Sequence, residues 1–321
     1  MDPSYRTIVL LTILTATALT SAAQPSQSKP APQVAEPVVV HVTVSDEYGR
    51  VVKGLGPTDF EVAIDKKPTD IVSVNPADLP VSVGILFDSS GSMAGGSEKD
   101  AANNFAIWRQ ALRQFLEKSN KSNDYFLMGF NIKPQLLVDW TSDPMTLADK
   151  FAYLKLGETA LYDACYVAID KVQHGRHAKK ALILISDGED NLSHYTFKEL
   201  RELLSETDVL LYSIDLPGNV RFGRSLLREE GFRTLERLSS LSGGRVLSSP
   251  EGPPPGLDEA NTALEAIALE LRYQYTFSIV PDEPMEGKEW HKIKVKANPP
   301  PDADPRLKKL EARTREGFYA H

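Results

Sequence analysis

A single cysteine, Cys165, leaves the chain without an intramolecular disulfide and without the thiolates of a zinc or iron–sulfur centre. Basic residues are also short: 36 Lys plus Arg stand against 44 Asp plus Glu, a formal net charge of −8. Proteins that grip nucleic acid carry the opposite imbalance, so no nucleic-acid partner is expected. The 6 histidines form no H-E-x-x-H pair. Beyond residue 23 no apolar run approaches the roughly 20 residues of a membrane-spanning helix, so none is expected after signal cleavage. What is present is ordinary globular material. Hydrophobic residues make up 41% of the 321 and charged ones 25%, which excludes wholesale disorder and suits about two domains.

Met1 to Ala23 reads as a secretory signal peptide. Arg6 precedes an apolar run from Thr7 to Leu19, and Ser21 and Ala23 are the small residues of a cleavage site before Gln24. The run is short for a membrane span and is interrupted by Thr12, Thr15 and Thr17. Residues 24–37, with Pro25, Pro30, Pro32 and Pro37, read as an extended tether. The expected location is therefore outside the cytoplasmic membrane, periplasmic or extracellular. Nothing in the sequence sets the oligomeric state.

Val38 to Ser45 alternates, with Val38, Val40, Val42 and Val44 on one face and His41, Thr43 and Ser45 on the other, as in a half-buried strand. Phe60 to Ile64 and Ile71 to Val74 are two further short strands. From Pro80 the pattern changes. Val81–Phe87 and Ala181–Ser186 are near-continuous apolar runs, expected for strands buried on both faces of a parallel sheet. Helical stripes alternate with strands as far as the helix expected over Leu257–Leu271, which predicts a doubly wound, mostly parallel α/β unit. Tyr273–Val280, Trp290–Ala297 and Leu307–Arg313 return to period two. The predicted organisation is residues 38–79 and 273–321 as the two halves of one β-sandwich, with an α/β domain over 80–272 set between them.

Asp88-Ser-Ser-Gly-Ser92 leaves the carboxyl end of the first buried strand, the place where open α/β sheets bind ligands. A carboxylate and two hydroxyls at Asp88, Ser90 and Ser92 suit a hard, oxygen-preferring divalent cation rather than zinc. Asp187, in Ser-Asp-Gly after the second buried strand, and Thr159, before the helix that opens at Ala160, are further oxygen sources at comparable positions. Together, Asp88-x-Ser90-x-Ser92, Thr159 and Asp187 resemble the metal-ion-dependent adhesion site of the von Willebrand factor type A domain, over roughly residues 80–272. The chain as a whole is similar to secreted bacterial proteins related to that family. The resemblance implies that Ser90, Ser92 and Thr159 ligate Mg²⁺ (or Mn²⁺ or Ca²⁺) through their hydroxyls, with Asp88 and Asp187 acting directly or through water. It also implies that an Asp or Glu of a protein or surface partner completes the coordination. One departure is Glu158, where family members often carry a glycine before the threonine.

The remaining candidates read as structural. Cys165 falls on the apolar stripe of its helix, His174 and His177 are surface histidines, and Glu189 and Asp190 form a solvated acidic loop. Lys292, Lys294 and Lys296 alternate with Ile293 and Val295 as the solvent face of a strand. No G-x-S-x-G elbow surrounds Ser90 or Ser92, and no paired base stands near them, so the chain is not expected to be an enzyme. The expected function is a metal-dependent protein-binding or adhesion module. The alternative is an envelope scaffold whose metal serves stability only.

Overall fold

A computed structural model of the chain describes residues 37–91, 98–150, 157–216, 226–248, 257–281, 285, 289–301, 307 and 309–319. The expected signal peptide, nearly all of the expected tether and Ser92 lie outside the described residues. Strands β1 (Val38–Asp46), β2 (Phe60–Ile64), β3 (Lys67–Pro68) and β4 (Ile71–Asn75) come first. Then follow β5 (Val81–Asp88), α1 (Glu98–Lys118), β6 (Asp124–Phe130), β7 (Pro134–Thr141), α2 (Pro144–Lys150) and α3 (Leu161–Gln173). Next are β8 (Lys179–Ser186), α4 (Phe197–Ser205), β9 (Val209–Asp215), α5 (Leu226–Ser242), β10 (Val246–Ser248) and α6 (Leu257–Tyr273). Strands β11 (Tyr275–Ile279), β12 (Trp290–Ala297), β13 (Leu310–Arg313) and β14 (Gly317–Tyr319) complete the order.

The central sheet has the order β10-β9-β8-β5-β6-β7, parallel throughout except that the edge strand β7 runs antiparallel to β6. Every residue of β5, β6 and β9 is buried, because helices cover both faces. On one face Val83, Ile85 and Phe87 pack with Phe105, Trp108 and Leu112 of α1 and Leu264, Ile267 and Leu271 of α6. On the other, Leu86, Met128 and Leu184 pack with Leu161, Cys165 and Ile169 of α3, Leu200 of α4 and Leu235 of α5. Gly84 interrupts the large side chains of β5 because the Phe126 ring fills its place: a Cβ there would lie 2.3 Å from that ring. The chain leaves β5 toward β6 on one side and leaves β8 toward β9 on the other. The carboxyl ends of β5 and β8 therefore flank a topological switch point.

Two four-stranded antiparallel sheets, β13-β1-β11-β4 and β14-β12-β2-β3, face each other. Val40, Val42, Val44 and Phe277 of the first and Phe60, Val62, Ile64, Ile293 and Val295 of the second form one apolar cluster. Phe60 meets both Tyr275 and Phe277 edge to face, at 5.3 and 4.7 Å between ring centroids. Each sheet combines strands that precede β5 with strands that follow α6. The fold is thus a mostly parallel, doubly wound α/β sheet accompanied by a β-sandwich built from strands of both ends of the described chain.

Two local expectations are corrected. The polar side of β1 is not solvated, since Thr43 and Ser45 are buried, and Asp46 at the strand's end is buried as well. Thr43 accepts a hydrogen bond from Gln274 Nε2 at 3.1 Å, and Asp46 accepts from the backbone N–H groups of Tyr48 and Arg50, so protein donors replace water there. Tyr273 is the last residue of α6 rather than the first of a strand, and β11 starts two residues later. The buried positions Ala260, Leu264, Ile267, Ala268 and Leu271 keep helical spacing up to that end and carry it as helix.

Beside this junction lies a buried ionic group. Glu270 of α6, 1% exposed, has Oε1 at 2.7 Å from Arg245 Nε and 2.9 Å from Arg313 Nη2 of β13. Both guanidinium groups are at ion-pair distance without an aligned hydrogen bond. One residue further on, the carbonyl of Leu271 accepts from Lys179 Nζ at 2.5 Å.

Candidate functional site

Asp88 ends β5 with its carboxylate wholly buried. Its Oδ1 accepts the backbone N–H of Ser90 at 2.8 Å, and its Oδ2 accepts the Ser186 hydroxyl at 2.7 Å. Ser186 in turn accepts the backbone N–H of Gly188 at 3.0 Å, which ties the ends of β5 and β8 together. Asp187 is also buried, and its Oδ1 accepts the Glu189 N–H at 3.1 Å. Burial lifts the Asp88 carboxyl well above the usual carboxylate range, and the neighbouring charge of Asp187 adds to the rise. Hydrogen bonds from Ser186 and Ser90 oppose it. Glu189, partly buried beside them, is raised for the same two reasons, burial first and Asp187 second.

Thr159 arrives from a different loop. It is buried, and its carbonyl accepts the N–H groups of Asn191 and Leu192, each at 3.0 Å. Its own N–H donates to Asn191 Oδ1 at 2.9 Å. The next amide, Ala160 N–H, donates to the Asn131 carbonyl at 2.7 Å, and Gly91 N–H donates to the Gly157 carbonyl at 3.0 Å. Ser89 is fixed twice to the Phe130 carbonyl, through its N–H at 2.8 Å and its hydroxyl at 2.9 Å. Four loops are thereby stitched around one spot at the switch point.

Of the five residues singled out by sequence, Asp88, Ser90, Thr159 and Asp187 are buried in these interlocked loops, and Ser92 lies outside the described residues. Glu158 is exposed. Cys165 is buried and its thiol is pushed far up by that burial, so it stays protonated. Asp190 departs from the solvated reading. Its Oδ1 accepts the N–H groups of Leu161 at 2.9 Å and Tyr162 at 3.4 Å, and so caps α3. Ala160, the cap position of that helix in sequence, offers no side-chain oxygen. That omission is the signal in the sequence that a cap must come from elsewhere.

Two buried carboxylates that oppose each other's ionisation, with buried hydroxyls beside them, fit a hard cation: positive charge between them would relieve the repulsion that burial intensifies. Nitrogen and sulfur ligands do not gather here. Among the described residues no group of three or more His, Cys, Asp and Glu side chains is placed to hold a metal.

Residues 83–189 match the model of the von Willebrand factor type A domain family. No curated protein matches the chain. Among solved structures, the vWF domain of the type V pili tip protein Mfa5 from Porphyromonas gingivalis is similar at 24% identity and a TM-score of 0.32. That match covers 36% of this chain and 40% of that one. A von Willebrand factor type A protein from Catenulispora acidiphila is similar at 11% identity over 91% of this chain and 75% of that one, TM-score 0.47. An aerotolerance-related membrane protein from Bacteroides fragilis is similar at 16% identity over 60% and 98%, TM-score 0.44. The chain thus spans about two fifths of the Mfa5 structure. Among the described residues no helix is long and apolar enough to cross a membrane.

Proposed function

We propose that the chain is an exported, non-enzymatic binding protein that engages an acidic side chain of a protein or surface partner through a divalent cation. Asp88, Ser90, Ser92, Thr159 and Asp187 would hold the cation, with Mg²⁺ the first choice for an all-oxygen set. When bound, the cation supplies a positive centre able to accept a carboxylate from outside. The protein's own residues do the rest. Ser186 and the Ser90 amide orient the Asp88 carboxylate, and the Asn191 side chain fixes the main chain that carries Thr159.

The observation that carries this reading is the electrostatic conflict between Asp88 and Asp187, two buried carboxylates at the switch point of the sheet. Export rests on the leader-like composition of residues 1–23. Arranging residues 38–79 and 273–321 as a separate supporting domain around residues 80–272 is part of the same proposal.

The test is a thermal melt of the full chain with Mg²⁺, Mn²⁺, Ca²⁺ or EDTA, run beside Mg²⁺-dependent retention on an array of peptides with and without Asp or Glu. A rise in Tm and retention on acidic peptides, both lost in Asp187→Asn, are expected. A rise in Tm with no retention on any peptide supports the scaffold reading instead. No response of Tm to any of the three cations overturns the metal site.

A further inference from the structure

Residues 159–163 and 190–195 are joined by a reciprocal set of hydrogen bonds that the sequence does not announce. Thr159 N–H donates to Asn191 Oδ1, Leu161 and Tyr162 N–H to Asp190 Oδ1, and Asp163 N–H to Ser193 Oγ at 3.2 Å. In return, Asn191 and Leu192 N–H donate to the Thr159 carbonyl, and His194 and Tyr195 N–H donate to Asp163 Oδ1 at 2.8 and 2.9 Å. The Ser193 hydroxyl also donates to Asp190 Oδ1 at 2.5 Å, which closes the segment on itself. The opening amides of α3 are thus satisfied from about thirty residues away, and almost every donor at the start of the helix has a named acceptor in one loop.

We propose that residues 190–195 are the positioning element of the candidate site, and that Asn191 is the residue that latches Thr159 to the loop carrying Asp187. The proposal rests on the metal reading only for the use to which Thr159 is put; the latch is a property of the chain itself. Asn191 makes the link in both directions, its side chain to the Thr159 N–H and its N–H to the Thr159 carbonyl. Thr159 cannot shift relative to residues 191–192, which follow Asp187 in the same loop, without breaking these bonds and the Leu192 N–H bond to the same carbonyl. Asn191 is an exposed residue next to buried Thr159, so its side chain is not needed to fill the core. Its role is geometric. Asp190 and Ser193 hold the same loop against α3, so Thr159, just before that helix, and Asp187, just after β8, act as one rigid set.

The test is residue-by-residue amide hydrogen exchange on the full chain, with Asn191→Leu, which removes the acceptor, and Asn191→Asp, which keeps it. Thr159 N–H is expected to exchange about tenfold faster in Asn191→Leu and at the original rate in Asn191→Asp. Ala160 N–H is the internal control, since its acceptor is the Asn131 carbonyl. An unchanged Thr159 rate, or equal acceleration at Ala160 and in β5, overturns the latch. If Asn191→Leu does not fold, Asn191→Ser, too short to reach, takes its place with the same expectation. Mg²⁺ titrations of the same proteins by thermal melt are expected to show a midpoint about tenfold higher in Asn191→Leu, restored in Asn191→Asp. If the unaltered chain responds to Mg²⁺ and the two variants respond with the same midpoint, the positioning role fails. If the unaltered chain does not respond at all, the metal reading falls, and the Thr159 exchange rate alone decides the latch.

Discussion

Gly188 and Gly231 meet backbone to backbone. A Cβ on Gly188 would lie 2.2 Å from the Gly231 carbonyl oxygen, and one on Gly231 would lie 2.4 Å from the Asp187 carbonyl oxygen. Gly188 also sits at φ +78°, in the left-handed region. The loop that carries Asp187 is thus seated directly on α5. Alanine normally improves a helix by about 1 kcal/mol over glycine. Here Gly231→Ala is expected to destabilise instead, and Gly188→Ala to do so by about 3 kcal/mol. Urea denaturation midpoints check both signs.

Asp88 is costly to ionise where it stands, since burial and Asp187 both disfavour its charge. At neutral pH that penalty weakens the cation-free protein, because the unfolded carboxyl ionises freely. Asp88→Asn is therefore expected to stabilise the protein in EDTA by about 1 kcal/mol. It is also expected to abolish the rise in Tm with Mg²⁺. Parallel melts in EDTA and in Mg²⁺ read both effects, and a variant that is less stable in EDTA contradicts the electrostatic account.

Glu270 joins α6 to Arg313 of the sandwich and to Arg245 beside β10. Glu270→Gln leaves two cations against a neutral amide, at a cost of about 3 kcal/mol. Because the residue bridges the two parts of the fold, its loss is expected to split one thermal transition into two. Differential scanning calorimetry shows whether the second peak appears.

Lys179 is 3% exposed, and its pKa is pulled from 10.5 down to about 7 by burial, with Asp78 opposing. Between those two values the unfolded chain binds a proton that the folded chain does not. Stability is therefore expected to rise with pH from about 7 toward 10.5, by on the order of 2 kcal/mol between pH 7 and 9. Lys179→Met removes the titrating group, so its urea midpoint should be flat over that range. A parallel slope in the variant assigns the effect elsewhere.

Much of this architecture is legible in the residues. The unbroken apolar runs of β5 and β8 announce burial on both faces, and the alternation of β12 announces one wet face, which its burial pattern repeats residue by residue. The positions of Asp88 and Asp187 at the ends of buried strands, and of Thr159 before a helix, are legible; that all three are buried is what the structure adds. The latch is not legible. Asp190 and Asn191 look like any polar loop, and their acceptors matter only once α3 is seen to begin at a residue with no cap of its own. The wet face assigned to β1 fails for a related reason: the pattern marks Thr43 and Ser45 as polar, and only tertiary packing reveals that protein donors stand where water was expected. Strand β14 and helix α2 are each too short to leave a period in the sequence.

The chain enters the α/β unit at Val81 and leaves it at Tyr273, the end of α6, and α6 runs back along β5 so that both connections sit at the amino end of the strands. Asp88 is seven residues along β5 from that entry, about 23 Å at strand rise. A load applied at the Asp88 end would leave the α/β unit by two routes side by side, one through β5 and one through α6 to Gln274. Gln274 is itself hooked to Thr43 in β1. The ladders to β6 and β8 flank β5 along nearly its whole length. In engineering terms the α/β unit is held at one end by both of its connections, with the candidate site at the other end.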